Sequence, residues 1–259
     1  MTTDTGFHEF CKHDAQKDLR ESGVLIHRPD AISVGLWEEE QEALLDLLGR
    51  VKADYISICE IGSNNGASAQ LMRLYTSYAA KSSKIYCIDP NFTPWFDLLN
   101  KRIDAILGEA AHKHEIIKIC DFSENVAKYD FHIIEEQLDF VWIDGLHAFG
   151  QILTDFNVVK PYLKPGAIIA FHDTSPRLQK PEQRQEILKW TLDNLDYLKN
   201  LDYEDFFCDE AVCYLEHTEP VEHIDCSIEC YHPNETGLTG WIRGKTSPHS
   251  AIAAFRFKG

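Results

Sequence analysis

The chain has 259 residues, enough for one large α/β domain with additions and a sizeable core. Its 42 acidic residues against 25 basic ones give a formal net charge of -17, and no basic tract interrupts that balance, which argues against a nucleic-acid partner. No stretch approaches about eighteen consecutive apolar residues, and the start Met1-Thr2-Thr3-Asp4 lacks a charged-then-apolar signal, so we expect no membrane association and a cytoplasmic location.

Residues 1–35 carry mixed charge, weak periodicity and Pro29, and read as an N-terminal arm, mobile or wrapped around a partner, with one short helix. From Leu36 to Val51, apolar residues recur among acids at helical spacing and predict an amphipathic helix. The chain then alternates. Strands are expected at 55–60, 84–88, 115–120, 139–143 and 167–171, with helices at 66–80, 94–110, 123–135, 149–162 and 181–198. Five such repeats predict a parallel, doubly wound α/β sheet with right-handed crossovers and a ligand crevice at the carboxyl ends of the strands. Tyr203 to Cys208 and Ala211 to Glu216 are two β-prone runs expected to form a closing antiparallel pair. Three regions follow: an arm at 1–35, a core domain at 36–216 and a C-terminal extension at 217–259.

Cys59, Cys87 and Cys120 fall in apolar strand-like runs, where a reduced thiol behaves as a small hydrophobe. In the extension, His223, Cys226, Cys230 and His232 form a compact cluster without paired C-x-x-C spacing, so reduced cysteines are preferred to a zinc site. The run Ala251 to Phe255 docks either on the core or on a second subunit, and a homo-oligomer is expected.

Residues Ile56 to Gly66, I-S-I-C-E-I-G-S-N-N-G, predict a buried strand, a tight turn and a helix start. Gly62 and Gly66 let the backbone turn close to a ligand, Asn64 tolerates a left-handed conformation, and the helix aims free N–H groups at an anion. Asp89, a little over twenty residues on, suits two ribose hydroxyls. Asp121-Phe122-Ser123 offers polar atoms and a ring for an adenine, or equally a helix cap. Asp144, His147, His172 and Asp173 end the next two strands and are expected to converge on the same rim. The dinucleotide fingerprint G-x-G-x-x-G is absent, since Asn64 stands at its middle glycine, which favours a cofactor that has adenosine but no phosphates.

The E-x-G-x-x-x-G loop resembles the class I S-adenosylmethionine-dependent methyltransferases. Val141-Trp142-Ile143-Asp144-Gly145-Leu146-His147, Tyr162-Leu163-Lys164-Pro165-Gly166 and Phe171-His172-Asp173 sharpen the resemblance towards the metal-dependent small-molecule O-methyltransferases of the macrocin and mycinamicin type. It spans roughly residues 40–216. It implies a Rossmann-like seven-stranded sheet, mostly parallel with one antiparallel strand near the C-terminal end and helices on both faces. It further implies that Glu60, Gly62, Ser63 and Gly66 shape the methionine end of the donor, that Asn64 and Ser68 bind its amino and carboxylate groups, and that Asp89 holds the ribose. Asp121 and Phe122 become adenine contacts. Asp144, also beside the donor, joins His172 and Asp173 as ligands of a divalent cation, Mg²⁺ or Mn²⁺. The family usually has a carboxylate at 172, so His172 either moves the preference towards Mn²⁺, Fe²⁺ or Zn²⁺ or weakens the site.

Methyl transfer from a sulfonium is an in-line displacement that needs alignment and a deprotonated acceptor. A cation at Asp144 and Asp173 polarises the acceptor oxygen and His147 takes its proton, with Asp155 either orienting that histidine or merely solvated. The acceptor is expected to be a small molecule: a natural product, sugar or phenol. Phe7, Phe10, Phe92, Trp95, Phe96 and Phe149 either line its pocket or belong to the core. Two alternatives use the same fold. One is metal- or cofactor-assisted chemistry of a hydroxylase-type pathway, and the other is a non-catalytic binding or assembly protein.

Overall fold

A computed structural model describes residues 5–21, 36, 38–126, 128, 134–201, 207–226 and 251–259. Helices α1 (Thr5–Glu21) and α2 (Glu38–Leu48) precede the alternating part. That part runs β1 (Tyr55–Ile61), α3 (Ala67–Ala79), β2 (Ser82–Ile88), α4 (Pro94–Leu107), β3 (His114–Ile119), α5 (Ser123–Val126), β4 (Leu138–Ile143), α6 (Phe149–Val159) and β5 (Leu163–Thr174). It closes with α7 (Pro181–Asp193), α8 (Leu195–Lys199), α9 (Cys208–Thr218), β6 (Val221–Ile224) and β7 (Ala251–Phe257).

The seven strands form one sheet in the order β3-β2-β1-β4-β5-β7-β6. β1 to β5 pair in parallel, and β7 lies antiparallel between β5 and β6. Strand periodicity divides the core in two, because successive side chains leave opposite faces of a sheet. Ile56, Ile58, Phe140, Trp142, Ile168 and Ala170 pack with α1 to α4 on one face. Cys59, Ile61, Val141, Ile143, Ile169 and Phe171 pack with α6 to α9 on the other. Burying a side chain of this size contributes roughly 1.5–3 kcal/mol, so the strands that carry the site are the best anchored part of the molecule.

The strand order reverses between β1 and β4, which pair directly. A crevice opens where the connections leave a parallel sheet in opposite directions. Both strands end there: Gly62 N–H donates to the Ile88 carbonyl at 2.9 Å, and Asp144 N–H donates to the Ile61 carbonyl at 2.9 Å.

Several expectations need correction. The expected arm contains a helix of 17 residues, α1, rather than a short one. It lies on α3, where His8 contacts the Tyr75 hydroxyl at 2.7 Å and Tyr78 donates to Asp18, and His8 also contacts Asp46 of α2 at 2.9 Å. Residues 22–35 lie outside the described residues. The helix expected at 123–135 is a single turn, Ser123–Val126, and Ile134 and Glu135 are not helical.

The hairpin expected at 203–216 is replaced over its second half by α9, while 202–206 lie outside the described residues. Cys208, Ala211, Val212 and Leu215 are buried, an i, i+3, i+4, i+7 pattern, and packing along that stripe overrides the β preference of single residues. The closing strands come instead from 221–224 and 251–257. Ala251–Phe257 is therefore an inner strand of the sheet. Seven cysteines are described and all are free. His223 packs against Phe255 with ring centroids 6.0 Å apart, while Cys230 and His232 lie outside the described residues. Among the described residues, no helix is long and apolar enough to cross a membrane.

Candidate active site

The turn after β1 is built on two positive-φ glycines. Gly62 has φ 93°, and a Cβ there would sit 2.1 Å from the Asp144 carbonyl oxygen, so the β1 and β4 ends approach only because this residue is glycine. Gly66 has φ 78°, and its missing Cβ leaves room for the Phe96 ring. Asn64 also has a positive φ, 41°, and its N–H donates to Oδ2 of Asp89 at 2.8 Å. Asp89 Oδ1 accepts from Asn91 N–H at 2.7 Å. One carboxylate at the end of β2 thus ties the first turn to the second.

Behind this wall Glu60 is wholly buried and accepts a hydrogen bond from Ser68 Oγ. Burial pushes its carboxyl up to about 7, against the hydrogen bonds from Ser63 and Ser68 and with the charges of Asp144 and Asp89 adding to the rise. Ser63 and Ser68 are buried as well. These residues brace the turn from below.

The crevice holds a cavity of about 530 Å³, within the range of small-molecule sites. Gly62, Asn64, Asp89, Asp121, Phe122 and Asp144 line it, so these expected residues are brought together, whereas Glu60, Ser63, Gly66 and Ser68 support it. Phe122 is 55% exposed and offers a ring face. Asp121 Oδ1 accepts from Phe122 N–H at 2.8 Å and from Asn125 Nδ2 at 2.7 Å, as a turn-capping carboxylate does.

At the polar end of this cavity the sequence singles out Ser123 and Asp155 but not Gln151, nor the bonds that join the three. Ser123 Oγ donates to Asp155 Oδ1 at 2.5 Å, and Gln151 Nε2 donates to the same oxygen at 2.8 Å. Asp155 is buried with its Oδ2 lacking a hydrogen-bond partner, and burial pushes its carboxyl up to about 6 against the bonds from Ser123 and Gln151. It is neither solvated nor joined to His147 by any of these contacts. The available signal was its position on the buried stripe of α6, with Ile152, Phe156 and Val159.

Four expected residues meet on the neighbouring rim. His172 Nδ1 lies 2.8 Å from Asp144 Oδ1 and 3.7 Å from Asp173 Oδ1. His147 Nε2 lies 3.3 Å from Asp173 Oδ2 and 3.8 Å from Asp144 Oδ1. Asp173 has φ 55°, an uncommon conformation for a residue other than glycine and one that recurs at functional sites. A fifth residue, unforeseen, completes the cluster: Oε1 of Glu40 on α2 lies 3.4 Å from His172 Nε2, and Glu40 is only 1% exposed. Burial opposes charge on His172, but the carboxylates of Asp144 and Asp173, the hydrogen bond to Asp144 and the nearby Glu40 outweigh it and hold the imidazole well above the ordinary histidine value. This rim attracts positive charge.

Asp144, His147 and His172 present one oxygen and two nitrogens within 4.8 Å of one another, close enough to share a metal ion. That donor set fits a divalent ion of the Mn²⁺, Fe²⁺ or Zn²⁺ kind better than Mg²⁺, which prefers oxygen ligands. Of the aromatic residues considered for an acceptor pocket, Phe96 and Phe149 are core residues, while Trp95 and Phe10 are about half exposed.

Residues 59–174 match the family model for a methyltransferase domain, and that segment carries every residue of the crevice described above except Glu40. The fold is shared with TomG of Streptomyces achromogenes, an O-methyltransferase involved in tomaymycin synthesis and solved with S-adenosylmethionine. The two are 16% identical, with TM-score 0.54 over 96% of this chain and 90% of that one. It is shared also with a candidate O-methyltransferase from Klebsiella pneumoniae, at 9% identity and TM-score 0.52 over 96% of this chain and 90% of that one. No curated protein matches the chain significantly. Residues 59–174 thus resemble a methyltransferase domain, set in a seven-stranded sheet whose fold is shared with O-methyltransferases.

Proposed function

We propose that this protein transfers a methyl group from S-adenosylmethionine to a hydroxyl oxygen of a small molecule, with a divalent cation held beside the donor. The observation that carries the reading is that Asp144 belongs at once to the cavity wall and to the His147, His172 and Asp173 cluster. Donor and acceptor chemistry then meet at one carboxylate.

In this reading Asp89 accepts from the ribose hydroxyls, Phe122 stacks on the adenine, and Gly62 and Asn64 face the methionine end. Asp155 Oδ2 and Gln151 are placed for polar groups at the far end of the cavity. Glu60 and Ser68 act from behind, by keeping the turn in shape. The donor sulfonium is already activated, so the chain's main task is to hold the acceptor oxygen in line with the methyl group and to remove its proton. His147 Nε2 receives that proton, and Asp173 at 3.3 Å orients the ring and offsets the charge it gains. Asp144 and His172 would hold the cation, with Asp173 alongside and His147 kept for the proton, and when bound such an ion lowers the pKa of a hydroxyl and fixes its direction.

The fused reading is tested by mass. Incubated with S-adenosylmethionine, Mn²⁺ and a panel of phenols, sugars and hydroxylated natural products, the protein should add 14 Da to an acceptor, about one CH₂. An acceptor altered without that gain would support the hydroxylase-type alternative instead, for which two imidazoles and a carboxylate are also a suitable metal set. A small-molecule acceptor, homo-oligomeric assembly and a cytoplasmic setting remain parts of the proposal.

A further inference from the structure

Glu40 sits on the wrong side of its helix. In α2 the buried residues Leu44 and Leu47 follow it at i+4 and i+7, so Glu40 occupies the stripe that faces the sheet. A carboxylate there loses its water and needs a compensating partner. The partner is specific: Glu40 Oε1 lies 3.4 Å from His172 Nε2, and both side chains are nine-tenths or more buried.

The opposite ring nitrogen, Nδ1, points to Asp144 Oδ1 at 2.8 Å, and the Trp142 and His147 rings lie 5.6 and 6.2 Å away by centroid. His172 is therefore boxed, with one nitrogen toward Glu40 and the other toward the rim. A histidine that binds a metal through one nitrogen commonly donates its other N–H to a carboxylate, which fixes the tautomer and the direction of the ligand lone pair.

We propose that Glu40 is a positioning residue: it accepts the Nε2–H of His172 and so presents Nδ1 to a transition-metal ion shared with Asp144. The inference rests on the metal-assisted reading above. It places part of the centre outside the matched methyltransferase segment, on a helix that precedes the first strand.

The test is Mn²⁺ binding by the full-length protein, measured by calorimetry for the wild type, Glu40→Gln and Glu40→Leu, with S-adenosylhomocysteine affinity measured on the same samples. The expected result is Mn²⁺ affinity weakened about 10–100-fold in Glu40→Leu and less in Glu40→Gln, which keeps an acceptor oxygen, while S-adenosylhomocysteine affinity stays within about twofold. A merely structural role would move both ligands together. Equal Mn²⁺ affinity in wild type and Glu40→Leu overturns the role of Glu40 and leaves the metal reading standing. Absence of Mn²⁺ and Zn²⁺ binding to the wild type overturns both.

Should Glu40→Leu fail to fold, ¹⁵N NMR of Zn²⁺-loaded wild type decides the matter, with the His172 signal assigned by its loss in His172→Gln. The proton is expected on Nε2 with Nδ1 bound to the metal. A proton on Nδ1 overturns the proposal.

Discussion

Oδ1 of Asp144 and Nδ1 of His172 lie 2.8 Å apart, and this contact joins the cavity wall to the buried side of the sheet. In the proposed reaction it would put a charged, orientable group between donor and acceptor. Asp144→Asn and Asp173→Ala are therefore expected to lower methyl transfer on the order of a hundredfold or more. Asp173 does not line the cavity, so Asp173→Ala should keep S-adenosylhomocysteine affinity within about threefold, a gap of less than about 0.7 kcal/mol. Steady-state kinetics beside calorimetry would separate the two effects. Equal loss of both in Asp173→Ala would mean that the rim serves the donor alone.

His147 faces Asp173 at 3.3 Å and is the proton acceptor of this account. His147→Ala should lower turnover by about 10²–10⁴-fold at neutral pH. Part of that loss should return as pH rises, because hydroxide and the ionised acceptor replace the missing base. A pH-independent deficit would assign His147 a bracing role.

Gly62 shows how little freedom the first turn has. Gly62→Ala must hold φ near 93° and place a Cβ 2.1 Å from a backbone oxygen. Strain of this kind costs at least about 1–3 kcal/mol, which for a chain of this size is a fall in Tm of roughly 2–12 °C. Differential scanning calorimetry measures it. An unchanged Tm would show that the β1 and β4 ends are not packed as closely as described.

The buried acid behind the turn makes a pH prediction with a definite sign. Burial raises the Glu60 carboxyl from its ordinary value of 4.5 to about 7, so it binds its proton more tightly folded than unfolded. Its contribution to stability is fully present below about pH 4.5 and is lost as pH rises through about 7, with a slope of at most about 1.4 kcal/mol per pH unit. Urea melts of the ligand-free protein should show Glu60→Gln gaining on the wild type across that window. A difference independent of pH would contradict the burial argument.

Much of this arrangement was legible in the sequence, and the missed parts have physical causes. The five buried parallel strands announce themselves as short apolar runs, and each carries its chemistry at its end because that is where the crevice lies. Gly62, Asp89, Asp144 and His172 were readable for that reason. The closing strands were not, since β6 is only four residues, Val221–Ile224, and β7 follows it through 227–250, which lie outside the described residues. Ala211 to Glu216 reads as a strand because Val212 and Tyr214 favour extended chain, whereas the buried stripe through Cys208, Ala211, Val212 and Leu215 makes it a helix. Asp155 reads from the sequence either as an orienter of His147 or as a solvated acid, and Glu40 draws no reading; buried neighbours three and four residues away on the same helix mark both acids as inward-facing.

Thermal unfolding with S-adenosylhomocysteine beside NAD, each with and without Mn²⁺, asks whether the crevice takes an adenosyl donor. Binding to the native state alone adds about 2.7 kcal/mol at a hundred times the dissociation constant. A clear rise in Tm is expected with S-adenosylhomocysteine, none with NAD, and a separate increment from Mn²⁺. No shift with S-adenosylhomocysteine, or a shift with NAD only, would contradict it.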